Sequence, residues 1–147
     1  MKKKLLFLCT GNSCRSQMAE GYGKLFLSGL VEVYSAGTEK HGLNPFMLKV
    51  MEEDGVNMDG HYSKTLEELG DIDFDFVITL CGDAHENCPA YLKKAFVFHK
   101  GFRDPAKAEG SEQEVLSEFR RIRDLIKDFV KNELPSIIQE KIKNEKS

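Results

Sequence analysis

The sequence predicts a single α/β domain: a four-stranded parallel sheet flanked by helices in a three-layer fold. Short apolar runs alternate with segments in which apolar residues recur at helical spacing, the pattern of right-handed βαβ units. The chain has 147 residues, of which 41% are hydrophobic, enough for one compact core. No linker, repeat or low-complexity segment divides it. The predicted strands are residues 5–8, 31–35, 75–80 and 95–99.

The elements follow one another in a regular order. Residues 5–8 are continuously apolar, as expected of a strand buried on both faces of a parallel sheet. A Gly-containing polar turn comes next, and the residues after it predict a helix. The apolar residues of that helix that recur at helical spacing are Met18, Ala19, Tyr22, Leu25 and Phe26.

Capping signals and an apolar stripe predict the later helices. Asn44 and Pro45 are typical of a helix start, an N-cap followed by proline in the first turn. Pro135 should end or kink the long final helix. We therefore place the domain at residues 1–135 and expect residues 136–147 to form a charged C-terminal tail that is partly frayed. The stripe of the final helix is Val115, Phe119, Ile122, Ile126, Phe129 and Val130.

Charge and hydropathy argue against nucleic-acid and membrane partners. The formal net charge is −3, and no Lys/Arg block stands among aromatic residues. The N-terminal apolar run stops at Cys9, shorter than the about 7–15 residues of a signal-peptide core. No later stretch approaches the roughly 20 apolar residues of a membrane span. We expect a cytoplasmic protein and a monomer, with no nucleic-acid or membrane partner.

Four cysteines stand at positions 9, 14, 81 and 88. In a reducing compartment such thiols are more often catalytic, metal-binding or simply buried than paired in structural disulfides. They form no CxxC pair, and no histidine stands at zinc-ligand spacing, so we expect no metal site. The four histidines at 41, 61, 85 and 99 are scattered, which predicts surface or loop positions.

The segment between the first strand and the first helix has the features of an oxyanion site, since open α/β sheets bind ligands at such places. Backbone N–H groups and the helix N-terminus favour an anion, and the Arg15 guanidinium offers a fork for two of its oxygens. The same field favours a Cys9 thiolate, to which Ser16 is placed to donate, while Asn12 suits a left-handed turn. The simpler alternative is a buried cysteine followed by a polar turn. The predicted loop is Thr10, Gly11, Asn12, Ser13, Cys14, Arg15 and Ser16.

This loop and its strand–loop–helix setting resemble the low-molecular-weight protein tyrosine phosphatases. The longer string Cys-Thr-Gly-Asn-Ser-Cys-Arg-Ser-Gln-Met-Ala-Glu-Gly, residues 9–21, is similar to the thioredoxin-coupled arsenate reductases built on that fold. The resemblance covers nearly the whole chain up to about Pro135 and implies a phosphatase-like fold. The other matching segments are residues 34–37, 41–45, 79–83, 87–89, 101–106 and 119–124.

Two features favour a reductase over a phosphatase, which stays the alternative. Both groups share an Asp-Pro pair, here beginning at Asp104, whose aspartate is the phosphatases' general acid. An N-cap is the other interpretation of Asp104. The phosphatases follow the pair with an aromatic residue, whereas Ala106 would cost an aryl substrate up to ~1 kcal/mol of stacking. Cys81 and Cys88 have no role in ester hydrolysis but match the reductases' second and third redox cysteines. The alternative interpretation is that each is a buried apolar thiol.

The resemblance also implies a mechanism. Arsenate binds in the loop, Cys9 attacks arsenic, and Asp104 helps water to leave. Cys81 then releases arsenite and forms a transient Cys9–Cys81 disulfide. Cys88 converts this into a final Cys81–Cys88 disulfide, which thioredoxin reduces, so no organic cofactor is needed. A non-enzymatic oxyanion-binding or redox-sensing protein is disfavoured, because Cys9, Arg15 and Asp104 form a complete catalytic set.

The spacing of Cys81 and Cys88 predicts a segment that changes shape. Seven residues of regular helix would separate the two cysteines by about 10 Å along the axis. A disulfide tolerates only about 4.4–6.8 Å between Cα atoms. The segment must therefore bend or unwind to close the bond.

The sequence departs from some of these reductases at a cation site. Those enzymes carry a potassium site to which Asn12, Glu20 and Ser35 would correspond. Tyr62 and Lys64 stand where they have a threonine and an aspartate. A lysine ammonium opposes a bound cation, so we expect no potassium site here.

Overall fold

The computed structural model describes residues 2–146. It confirms the predicted fold class, with a four-stranded, fully parallel sheet in the order β2-β1-β3-β4 and flanking helices. β1 and β3 occupy the centre, so the loop that follows β1 leaves the middle of the sheet. The strands, each within a few residues of its predicted position, are β1 Lys3–Cys9, β2 Val31–Gly37, β3 Phe76–Thr79 and β4 Phe96–His99.

Within residues 2–146, six α-helices surround the sheet. α1 packs against β1, β2 and α5, and α2 packs against α5. No helix in this part of the chain combines the length and apolar character needed to cross a membrane. The helices are α1 Arg15–Phe26, α2 Pro45–Glu53, α3 Leu66–Leu69, α4 Gly82–Glu86, α5 Glu112–Asp128 and α6 Leu134–Lys146. Two 3₁₀ turns, Ala90–Lys94 and Pro105–Lys107, and a π-helical turn, Phe129–Glu133, complete them.

The core lies between the sheet and the helices that cover it. Residues 5–8 of β1 are completely buried, which confirms a strand covered on both faces. α5 contributes Phe119, Ile122 and Ile126 from the predicted stripe, whereas Val115 is only partly buried. Burying this apolar stripe holds α5 against α1 and α2 and so fixes the start of α1, where the functional loop ends.

The predicted start of α2 is confirmed in detail. Asn44 is the N-cap, and its Oδ1 accepts hydrogen bonds from the backbone N–H groups of Phe46 at 2.8 Å and Met47 at 3.3 Å. Pro45 occupies the first turn, where its missing N–H costs nothing. The cap satisfies two N–H groups that the helix itself leaves unpaired.

The C-terminal region differs from the sequence prediction. The helix continues past Pro135 to Lys146, and Ile138 lies fully buried in the core. An α-helix would direct the Lys131 carbonyl at the Pro135 ring, but Lys131 lies in the π-helical turn, which shifts that carbonyl and accommodates the proline. The fold therefore does not change at residue 135, and fraying of the last turns stays a prediction.

Candidate active site

The predicted oxyanion-binding loop connects the last residue of β1, Cys9, to the first residue of α1, Arg15. The carbonyl oxygens of residues 9–11 accept hydrogen bonds from N–H groups in the segment 38–41, at 2.9–3.2 Å. Because a trans peptide directs its N–H opposite to its C=O, the amides that follow these carbonyls point away from segment 38–41. Anion binding by these amides stays a prediction.

Gly37 allows the end of β2 to brace the loop. It stands opposite Cys9 in the parallel register. A Cβ atom on Gly37 would lie 2.5 Å from the Thr10 carbonyl oxygen and 2.9 Å from the Asn12 nitrogen, both backbone atoms. Only glycine permits this approach, so the shape of the loop depends on this position.

The Asn12 side chain sets the direction of the hydrogen bonds that reach Cys9. Asn12 is left-handed, with φ +49°, and its Oδ1 accepts bonds from the Lys64 N–H and from Gln17 Nε2, both at 2.9 Å. Its Nδ2 is therefore the donor to Ser16 Oγ at 2.7 Å. Since Ser16 accepts this bond, its own proton is free for the Cys9 sulfur, 2.9 Å away. A hydroxyl donor at that distance stabilises a thiolate.

Arg15 and Asp104 meet at the cavity of about 290 Å³ that opens over the loop. Arg15 Nη1 donates to the Phe102 carbonyl at 3.0 Å, and Nη2 lies 3.8 Å from Asp104 Oδ2. Asp104 Oδ1 accepts from the Ala106 N–H at 3.0 Å, so this residue is also the cap of the 3₁₀ turn. The N-cap interpretation of Asp104 is thus confirmed, whereas its role as general acid stays a prediction. The cavity is lined by Cys9, Thr10, Gly11, Ser13, Cys14, Arg15, His41, Asp104, Ala106 and Lys107.

Cys14 is the second thiol that lines the cavity. It is buried at the N-cap of α1. Burial, together with the negative charge of Asp104, raises the pKa of the Cys14 thiol to about 12. Cys14 is thus a neutral thiol at physiological pH, which suits packing and not nucleophilic attack.

The other two cysteines flank α4. Cys81 is its N-cap, and its sulfur lies 3.3 Å from Thr10 Oγ1. Thr10 donates to Asp83 Oδ2 at 3.1 Å, so its oxygen is left to accept the Cys81 thiol proton. The Ala84 N–H donates to the Cys81 sulfur at 3.4 Å. Cys88 is buried after α4, which raises the pKa of its thiol, and it is absent from the residues found lining the cavity within 2–146.

α4 itself was not predicted, because its five residues are polar and give no periodic signal. The His85 ring is 3.1 Å from the Thr79 hydroxyl, a contact that ties α4 to β3. Over residues 2–146 all four cysteines are free. α4 covers only residues 82–86, so Cys81 and Cys88 lie just outside its two ends, and the change of shape on forming a bond between them stays a prediction.

Residues 4–146 match the low molecular weight phosphotyrosine protein phosphatase family. The chain belongs to this family. Arsenate reductases from Shouchella clausii and Halalkalibacterium halodurans are 53% and 49% identical to it. These matches cover 85% and 88% of this chain and 90% and 94% of the relatives. A solved structure of an arsenate reductase in reduced state has a TM-score of 0.75 and 35% identity, over 92% of this chain and 98% of that one. The resemblance is confirmed, and within the family the chain groups with arsenate reductases.

In this family member, the residues that correspond to the potassium site of some reductases form a buried polar cluster behind the loop. Lys64 is only 6% exposed, and its Nζ lies 3.2 Å from the Tyr62 carbonyl, 3.4 Å from Ser35 Oγ and 3.5 Å from Glu20 Oε1. The ammonium group occupies the space between the oxygens that would bind a cation. These residues therefore do not fit a potassium ion.

Glu20 is the anion of this cluster. Burial disfavours its carboxylate, but hydrogen bonds from Lys24 and Ser35 and the charge of Lys64 outweigh burial, and the pKa of Glu20 is lowered. Lys24 reaches Glu20 at 2.7 Å from the solvent side. Glu20 is thus an ionised acceptor between one exposed and one buried ammonium group.

His61, predicted to be an ordinary surface or loop residue, has a buried side chain. The His61 side chain is only 5% exposed, and its Nδ1 lies 3.1 Å from Gln17 Oε1. Burial lowers the pKa of His61, so the ring is neutral near pH 7. His41 is an exposed loop residue, as predicted, and it also lines the cavity beside Gly11 and contacts Glu39 at 2.9 Å. The burial of His61 has no local signal, since its partner Gln17 is 44 residues away.

Proposed function

We propose that this protein reduces arsenate to arsenite through a relay of three thiols, Cys9, Cys81 and Cys88. The observation that carries the proposal is the meeting of two thiols at one anion loop. Cys9 lies within the loop, and Thr10 holds the sulfur of Cys81 at 3.3 Å from its hydroxyl. The arsenate reductases to which the chain is similar support the choice of substrate.

The first step forms a covalent adduct. The loop amides and the Arg15 guanidinium hold the arsenate oxygens, and the Cys9 thiolate attacks arsenic(V). A sulfur–arsenic bond forms while an arsenic–oxygen bond breaks. Asp104 protonates the departing oxygen, which leaves as water. The Ser16 hydroxyl, 2.9 Å from the Cys9 sulfur, is placed to donate to the attacking sulfur.

The second step is the reduction. The Cys81 thiolate attacks the sulfur of Cys9, the sulfur–arsenic bond breaks, and its electron pair stays on arsenic. Arsenic(V) becomes arsenic(III) and leaves as arsenite, while a Cys9–Cys81 disulfide forms. Cys88 then attacks Cys81, which releases Cys9 as a thiolate and leaves a Cys81–Cys88 disulfide. Two thiols are oxidised for each arsenate reduced.

Regeneration requires an external dithiol. We assign this role to thioredoxin, acting on the Cys81–Cys88 disulfide of a monomeric protein in the cytoplasm. Closing that disulfide distorts α4 and so brings Cys88 out of its buried position to the partner. The reaction needs no organic cofactor, because the electrons come from thiols.

A phosphotyrosine phosphatase is the competing function. The chain shares the anion loop and Asp104 with that chemistry. Ala106 stands at the mouth of the cavity and offers an aryl ring no aromatic surface, a loss of up to ~1 kcal/mol. Phosphate-ester hydrolysis also leaves Cys81, placed against the loop, without a role.

Single-turnover chemistry tests the relay. With arsenate and no external reductant, Cys88→Ser is expected to form one arsenite per enzyme and to accumulate the Cys9–Cys81 disulfide. Cys81→Ser is expected to stop at the Cys9–arsenic adduct and to release no arsenite. Peptide mapping by mass spectrometry identifies the disulfides, and parallel assays with an aryl phosphate measure the competing activity.

Cys14→Ser is the matched control, because it removes a thiol of the same loop that the relay does not use. It is expected to keep steady-state turnover with thioredoxin. Multiple turnovers by Cys88→Ser with thioredoxin alone would refute the three-thiol relay. Aryl phosphate hydrolysis without arsenate reduction by the parent protein would establish the phosphatase instead.

A further inference from the structure

Lys64 places a full positive charge inside the protein. The residue is 6% exposed, and its ammonium group has three oxygen partners at 3.2–3.5 Å. The ring of Tyr62 covers it, with the nitrogen 4.7 Å from the ring centroid. Burying an ammonium group is costly unless it is paired, and apolar residues of similar volume often stabilise a fold as well. The contacts of Lys64 therefore indicate a role beyond packing.

A continuous series of hydrogen bonds joins this cluster to the thiol. Ser35 Oγ lies 3.4 Å from the Lys64 ammonium and accepts from Asn12 Nδ2 at 3.0 Å. The Ser35 proton is therefore directed to Glu20, to which it donates. Asn12 uses its second Nδ2 proton on Ser16, which donates to the Cys9 sulfur.

The donor direction of this series depends on Glu20 being ionised. As a carboxylate, Glu20 only accepts, so Ser35 must donate to it and must accept from Asn12. A protonated Glu20 could donate to Ser35 instead, and Ser35 would then compete for the acceptor side of the Asn12 amide. The Lys64 N–H and Gln17 would still bind Asn12 Oδ1, but Nδ2, which donates to Ser16 and so leaves the Ser16 proton for Cys9, would lose one of its two acceptors.

We propose that Lys64 is a positioning residue for the reaction, whose buried ammonium group keeps Glu20 ionised and thereby orients Asn12 and Ser16 towards the Cys9 thiolate. This inference rests on the proposed role of Cys9 as the nucleophile. Lys64 supplies from the protein the positive charge that a bound cation would otherwise bring to these oxygens. It also offsets the negative charge of Glu20, which would repel an oxyanion in the loop.

Lys64→Met tests the proposal, because methionine fills similar volume without charge. The readouts are the pH profile of Cys9 alkylation by iodoacetamide, followed by peptide mass spectrometry, and arsenate turnover. We expect Cys9 alkylation near pH 6.5 and arsenate kcat/KM each to fall at least about fivefold, as removal of a nearby buried charge predicts. The alkylation profile should move to higher pH, which loss of packing alone would not produce.

Lys24→Met is the matched control, since it removes the other ammonium group bound to Glu20, but on the solvent side, where screening weakens it. Because Lys24 also lowers the pKa of Glu20 but is exposed, we expect a change in the same direction that is clearly smaller than in Lys64→Met. Lys64→Ala opens space at the buried site, so ammonium chloride should restore part of the parental alkylation rate, while the bulky tetramethylammonium ion at equal ionic strength should not.

An unchanged pH profile of Cys9 alkylation in Lys64→Met would overturn the proposal. Lower arsenate turnover would also overturn it if the profile did not shift and ammonium chloride did not rescue Lys64→Ala. If Lys64→Met does not fold, as judged by circular dichroism, Ser35→Ala decides, because it cuts the series while keeping the charge. A parental profile in that variant equally overturns the proposal. Failure of the parent protein to reduce arsenate would refute the proposed function alone, since Cys9 alkylation does not require turnover.

Discussion

Replacing Asn12 separates the stability of the loop from its chemistry. Its side chain is completely buried and makes four bonds of 2.7–3.0 Å, two as acceptor and two as donor. Each contributes about 1 kcal/mol net, and an alanine held at positive φ adds roughly 1 kcal/mol. Asn12→Ala is therefore expected to lower the free energy of unfolding by about 4–5 kcal/mol.

Urea unfolding of the reduced protein at pH 7, followed by far-UV circular dichroism, measures this loss. Asn132→Ala is the control, because its side chain makes one exposed bond, to Asp128 at 2.8 Å, and its replacement should change stability by less than about 0.5 kcal/mol. A loss below about 1.5 kcal/mol for Asn12→Ala would refute the energetic role assigned to the network.

Asn12→Asp then isolates the chemistry. The substitution keeps the volume and the acceptor oxygen but replaces the donor Nδ2 with a second oxygen. The hydroxyl of Ser16 would turn its proton to the new carboxylate and away from Cys9. We expect slower Cys9 alkylation near pH 7 and lower arsenate turnover in a protein that still folds. Unchanged alkylation in folded Asn12→Asp would show that the proton of Ser16 does not serve Cys9.

Three further predictions follow from single residues. Arg15→Lys keeps the charge but loses the fork that reaches both Phe102 and the cavity, so arsenate kcat/KM should fall at least about tenfold, the equivalent of ~1.4 kcal/mol; near-parental kinetics would contradict the role. Because the pKa of His61 is lowered in the folded protein, the unfolded chain binds more protons below about pH 6.5, and the free energy of unfolding should fall there on acidification. In urea unfolding from pH 7.5 to 5, His61→Asn should lose less stability than the parent protein. Equal losses would show that His61 is not the source of the pH dependence. Ile138→Ala should lower the free energy of unfolding by about 2–4 kcal/mol, whereas a loose tail would give no change in the same assay.

The sequence predicts best the features that depend on neighbouring residues. The apolar run of residues 5–8, the Asn44 cap and the position of the loop between a strand and a helix are all local patterns, and each corresponds to the structure. The continuation through Pro135 was missed because it depends on a π-helical turn that changes which carbonyl meets the ring. No residue type marks such a turn in advance.

The members of the polar cluster were indicated by the family resemblance, but the burial of Lys64 and its contacts could not be predicted from local sequence. Lys64 follows a polar stretch without periodicity, and its partners Asn12 and Glu20 are 52 and 44 residues away. A lysine in such surroundings is expected at the surface. Only the parallel pairing of β1 with β2, which sets Gly37 beside Cys9, and the bond from the Gly37 N–H to the Lys64 carbonyl at 2.9 Å bring it behind the loop.

The two parts of the candidate site, the loop around Cys9 and the short helix α4, differ in how firmly they are held. The loop around Cys9 is braced on three sides, by the backbone of segment 38–41, by Gly37 and by the Asn12 side chain. The second half is a five-residue helix held to the sheet through the His85 contact with Thr79, and such a short helix is marginal by itself. Attack on arsenate requires fixed donors, whereas disulfide exchange requires sulfur atoms that approach one another in turn. In the proposed relay, Cys9 on the braced loop would attack arsenate, and Cys81 at the start of the short helix would approach it for disulfide exchange.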